Sequence, residues 1–130
     1  MIDNETLEGF LIRMDRPVET LEEGLWKISD SAAGLPPIVV KLAPPIVYVR
    51  LKVMSLPAGD NLPLFRRLLE LNASGVAFGA YAVDDGDVYL VDTLRADSLQ
   101  YSDLQTSIES LIMAAVEHYR ELQPLVRGGE

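Results

Sequence analysis

The sequence predicts an α+β domain: one antiparallel sheet of about five strands with three helices, in the order helix, three strands, helix, two strands, helix. Three observations carry this. Residues 46 to 54 alternate apolar and polar side chains with the two-residue period of a half-buried strand. Asp84-Asp85-Gly86 separates two further apolar runs, and its Asp-Gly pair supplies the positive φ values of a tight hairpin. Apolar residues at helical spacing recur near the start, in the middle and at the end of the chain.

At 130 residues the chain is close to the commonest size of one domain, and 48% apolar with 24% charged residues is the composition of a packed globular protein. One domain spanning 1–130 is expected, with 125–130 as a frayed tail.

The elements follow in order. Leu7, Phe10, Leu11 and Met14 fall on one stripe of a helix that Asn4 is placed to cap and that must end by Arg16-Pro17. After an acidic connection from Glu19 to Glu23, residues 24–28 read as a strand with Leu25 and Trp26 on opposite faces, Trp26 as core or rim packing. Pro36-Pro37 and Pro44-Pro45 bracket Ile38 to Leu42, which places that short strand near a sheet edge. In the next strand Val47, Val49, Leu51 and Val53 point one way, and Tyr48, Arg50 and Lys52 the other.

Asp60 or Asn61 caps the middle helix, Pro63 lies in its first turn, and it runs to about Ala73 with Gly75 as its stop. It has two apolar sectors, Leu62, Phe65 and Leu69 in one, Leu64, Leu68 and Leu71 in the other. Together they exceed the ~100° stripe that covers one sheet face. A second partner is therefore required, either the first helix or the same helix of a second subunit. Residues 76–83 and 87–94 form the hairpin strands, with Gly79 allowing a neighbouring side chain to pack closely. Ser102 opens a capping box with Gln105. Leu104, Ile108, Leu111, Ile112, Ala115, Tyr119 and Leu122 then give one sustained stripe to Gln123-Pro124, with Asp103, Ser110, Glu117 and Glu121 on the solvated face.

The chain lacks cysteine, which removes disulfides, thiolate metal sites and cysteine nucleophiles and makes a cytoplasmic location the default. The start has no signal-peptide order, and no apolar run approaches the ~20 residues of a membrane span. A net charge of −9 opposes binding to nucleic acid or an anionic membrane. Residues 41–67 nevertheless hold Lys41, Arg50, Lys52, Arg66 and Arg67 against Asp60 alone. These cations either balance acidic neighbours within the fold or form a patch for an acidic peptide.

Little in the chain suggests catalysis. His118 is the only histidine, no Gly-x-Ser-x-Gly elbow presents a serine, and a surface or boundary histidine is the simpler reading. Glu117, His118 and Glu121 supply at most one ligand pair, too few for a metal site. Aligning Gly86 with the glycine of a calcium loop puts Tyr81 and Val83 at ligand positions, so Asp84 to Asp87 is a turn. No cofactor and no catalytic or metal-ligating residue is expected.

The segment Leu68-Leu69-Glu70-Leu71-Asn72-Ala73, followed by Phe78-Gly79 and the Asp84-Asp85-Gly86 hairpin, resembles the YbjN-like family, which is similar in fold to the type III secretion chaperones. The resemblance extends from Gly24 to Leu122. It implies a non-enzymatic protein-binding domain, chaperone-like or regulatory, that pairs with itself through the middle helix and adjoining strand. On this chain it assigns Leu64, Leu68 and Leu71 to a homodimer interface. Tyr48, Arg50 and Lys52 are the candidate face for another protein or peptide segment. The competing expectation is a small-ligand sensor with a pocket between the sheet and the last helix, lined by Trp26, Tyr48 and Tyr81.

Overall fold

Strand pairing organises the chain. The structure, a computed structural model, describes residues 2–29 and 34–127. Its elements are α1 (Asn4–Arg13), β1 (Val18–Glu22), β2 (Leu25–Ile28), β3 (Ile38–Ala43), β4 (Ile46–Ser55), α2 (Leu62–Ser74), β5 (Ala80–Asp84), β6 (Asp87–Arg95) and α3 (Tyr101–Arg127). Among the described residues the sheet has six strands in the order β1-β2-β3-β4-β6-β5, every neighbouring pair antiparallel.

The alternation read in β4 is the axis of the core. Ile28, Ile38, Leu51, Leu90 and Tyr81 stand opposite one another in turn across five strands, and all are buried. Trp26, Val40 and Val49 make the next buried row. Each fully buried residue of this size contributes about 1.5–3 kcal/mol relative to exposure. The β4 alternation breaks at Val53, where the register with β6 shifts between Lys52 and Met54.

The helices cover this one face. Leu7 and Leu11 bury the inner side of α1, whose N-terminus is capped by Asp3 rather than Asn4: the Asp3 carboxylate accepts from the Thr6 amide at 2.8 Å. Hydrogen bonding from the Thr6 hydroxyl, and then from its amide, holds the Asp3 carboxyl below its ordinary range. α3 buries Leu104, Ile108, Leu111, Ala115, His118 and Leu122. The steps of three and four between these residues keep one face inward, and Tyr119, one position beyond His118, is rotated outward and exposed. Ser102 is not the cap of α3. Asp103 reaches back instead, its carboxylate accepting from the Gln100 amide at 3.0 Å. The helix also continues through Pro124 to Arg127, and residues 128–130 lie outside the described residues.

Two strand expectations change. Val18–Glu22, expected as a connection, is the edge strand β1; four of its five side chains are exposed and two are acidic, so it has no buried apolar face to signal it. β3 lies inside the sheet between β2 and β4. Its flanking prolines sit outside the ladder, and Pro44-Pro45, joined by a cis peptide bond, forms the turn between Ala43 and Ile46.

Candidate functional site

The two apolar sectors of α2 have the opposite roles to those expected. Leu64, Leu68 and Leu71 are buried in the core of the single chain, packed against β5 and α3, so they are not available as a dimer surface. The sector left in solvent is Leu62, Phe65 and Leu69, with Leu62 and Leu69 each 68% exposed. It lies beside β5, where Phe65, Leu68, Leu69, Tyr81, Ala82 and Val83 line an apolar groove of about 360 Å³. A helical wheel shows two leucine sectors but not which one the sheet takes.

Asn72 lies along the same seam. Its side-chain oxygen accepts from the Tyr81 amide at 2.6 Å, and its amide nitrogen donates to the Tyr81 carbonyl at 3.2 Å. β5 is the last strand of the sheet, and these two bonds pair the outward backbone groups of Tyr81 as a further strand would. Beneath the seam, the Tyr81 hydroxyl meets His118 Nδ1 at 2.8 Å. His118 is therefore a buried, hydrogen-bonded core residue, 5% exposed, rather than a surface or boundary one. Its partner is thirty-seven positions away in sequence, which is why the helical pattern alone does not reveal it.

Among the described residues no helix packs on the opposite sheet face. Tyr48, Arg50 and Lys52 share that face and are all partly exposed. The Arg50 guanidinium lies 3.5 Å from the centre of the Tyr89 ring and donates to Asp84 at 2.8 Å. The Asp84 bond and the tyrosine neighbours raise the Arg50 pKa although burial opposes them. Lys52 lies 3.5 Å from Asp87. On α2, Arg67 pairs with Glu121 and Glu70. Three of the five cations noted in residues 41–67 thus have acidic partners within the chain, which favours internal balance over an uncompensated basic patch.

Trp26, Tyr48 and Tyr81 do not meet in one pocket. Trp26 and Tyr81 lie on the core face and Tyr48 on the open face, because Tyr48 has the opposite parity to Val47 and Val49 along β4. No helix among the described residues is long and apolar enough to cross a membrane.

Three helices on one face of a single antiparallel sheet, with the middle helix sealing the terminal hairpin strand, define the fold of the type III secretion chaperones. The chain belongs to the CesT_Tir_1 family, whose model matches residues 2–127. Among solved structures the fold is similar to that in the ExoU-SpcU complex of the Pseudomonas aeruginosa type III secretion system, at 21% identity and TM-score 0.67 over 98% of this chain and 99% of that one. It is similar to YbjN from E. coli at 16% identity and TM-score 0.66, covering 90% and 91% of the two chains. The ExsC-ExsE complex matches at 18% identity and TM-score 0.68, covering 93% and 97%. No curated protein matches the chain in sequence.

Proposed function

We propose that this chain is a non-enzymatic protein-binding domain, chaperone-like or regulatory, that acts as a homodimer through the outer sector of α2. The observation that carries the reading is the exposure of Leu62 and Leu69 beside Phe65 and the β5 groove. Exposed apolar surface of this kind, contiguous rather than scattered, marks an interaction site. A second copy fits it by charge as well as by apolarity. Arg66 and Glu70 are both exposed at i, i+4 on α2, and a two-fold antiparallel pairing of α2 helices brings each Arg66 across from a Glu70.

The similar structures ExoU-SpcU and ExsC-ExsE are complexes of two different proteins, which supports a protein partner for this chain beside its own copy. The places for an extended partner segment are the exposed β1 edge and the open face carrying Tyr48, Arg50 and Lys52.

Light scattering on the purified chain at micromolar concentration tests the homodimer. The expected mass is twice that of the chain, falling to one copy in Leu69→Glu with the melting temperature retained. A wild-type chain that stays monomeric through the micromolar range rules the homodimer out.

A further inference from the structure

Three adjacent inner strands, β2, β3 and β4, hold four cations and no acid, in a chain of net charge −9. Strand parity sends every one of those cations to the same side. Lys27, Val39 and Arg50 stand opposite one another in turn, as do Leu25, Lys41 and Tyr48, and Lys52 follows Arg50 by two residues. This is the open face of the sheet. Three of the cations meet acids that reach in from its rim: Glu19 on the edge strand β1 lies 3.0 Å from Lys27, and Asp84 and Asp87, flanking the β5–β6 turn, pair with Arg50 and Lys52. Lys41, in the middle, is exposed and has no acid partner among the described residues. Around it Leu25, Val39 and Tyr48 are only half-buried.

We propose that this face receives an acidic segment of a protein partner, one in which carboxylates alternate with aliphatic side chains; the inference deepens the protein-binding reading above and rests on it. The chemistry fits in three ways. A carboxylate over Lys41 gives the unpartnered ammonium a charge-assisted hydrogen bond. The rim pairs do not shut the other cations away, because Lys27 with Glu19 and Lys52 with Asp87 are partly exposed, and ion pairs of that kind stabilise little. Aliphatic side chains between the carboxylates cover Leu25 and Val39, and the Arg50 guanidinium is held in place by the Tyr89 ring beneath it. A nucleic acid suits the face less well. A long polyanion extends past these cations and meets a chain that is acidic elsewhere.

The test is an NMR titration of the isotope-labelled chain with acetyl-Gly-Glu-Val-Glu-Gly-amide, with the Gln-for-Glu peptide and a short single-stranded DNA as comparisons. The Glu peptide is expected to shift amides of β3 and β4 around Val39, Lys41 and Tyr48 saturably, with a dissociation constant on the order of 1 mM. Lys41→Gln is expected to weaken it about two- to fivefold, and Lys41→Glu to abolish the shifts while the rest of the spectrum is kept. Arg120→Gln, on the exposed side of α3, removes the same charge away from the face and is expected to leave the titration unchanged. No shift with the Glu peptide, or an unchanged titration in Lys41→Glu, overturns the proposal. So do equal shifts of these amides with the DNA, which assign the face to nucleic acid, or their movement on dilution without peptide, which assigns it to a second copy. Equal shifts with the Gln peptide overturn the acidic chemistry but leave the face a protein-binding one, and the amides of α2 report the homodimer separately.

Discussion

Tyr81 and His118 are joined by a 2.8 Å hydrogen bond in the interior, where β5 meets α3 behind the α2 seam. The pair ties the terminal hairpin strand to the longest helix, and its removal has a defined cost. Tyr81→Phe keeps the ring but leaves a buried imidazole nitrogen unpaired, so the variant is expected to lose about 1–3 kcal/mol in urea unfolding. A loss below about 0.5 kcal/mol would show that His118 finds water or another partner.

The same phenol gives a pH signature. Burial, and then the charges of Glu121 and Glu117, push the Tyr81 pKa up from its ordinary 10.0. Above pH ~10 the unfolded chain releases this proton while the native chain holds it, so the unfolded state binds fewer protons and stability falls as pH rises. The contribution is complete below that point. Thermal melts between about pH 9 and 11 are expected to show a decline in the wild type that is shallower in Tyr81→Phe.

Asn72→Ala uncovers the outward backbone groups of Tyr81. The expected cost is about 1–3 kcal/mol, with faster hydrogen exchange at the Tyr81 amide in particular. Exchange unchanged at Tyr81 would mean that the amide is protected by something other than the Asn72 side chain.

Gly79 sits at φ 103°, and a Cβ there would lie 2.7 Å from both Leu111 Cδ2 and the Val91 carbonyl oxygen. The leucine methyl can move but the strand carbonyl cannot without breaking β6 from its neighbours. Gly79→Ala is therefore expected to cost about 2–4 kcal/mol, from backbone strain and overpacking together. Denaturant midpoints read this directly.

The two leucine sectors of α2 are expected to respond oppositely to truncation. Leu64→Ala opens a cavity in the core and costs about 2–5 kcal/mol in the folded chain. Leu62→Ala changes monomer stability by less than about 0.5 kcal/mol, and its effect falls on self-association instead. Equal losses at both positions, measured at a concentration where the chain is monomeric, would contradict the burial described above.

How legible these features were differs from element to element. The β4 alternation and the Asp85-Gly86 turn were readable because period and turn chemistry are local properties; both turn residues do take positive φ, 48° and 81°. β1 escaped because a strand with no buried face has no alternation to detect. Proline beside a strand and proline within a ladder look alike in sequence, so the Pro-bracketed pattern of β3 predicts an edge that this strand does not occupy. The sector reversal in α2 and the burial of His118 depend on residues brought together from distant segments, and no periodicity encodes them. Asn72 within a leucine-rich helix was the one local sign of the α2 seam, since a polar amide on a helix flank that meets a sheet needs a partner.

The two ends of the sheet are unlike. At β5 the outward backbone groups of Tyr81 are answered by Asn72, whereas among the described residues β1 ends the sheet at its other side. Among the described residues a strand added at β5 has to displace the Asn72 amide from Tyr81, whereas one added at β1 displaces no such side-chain cap. Edge-on addition is therefore favoured at β1, whether the added strand is another protein's or a second β1 related by a two-fold axis.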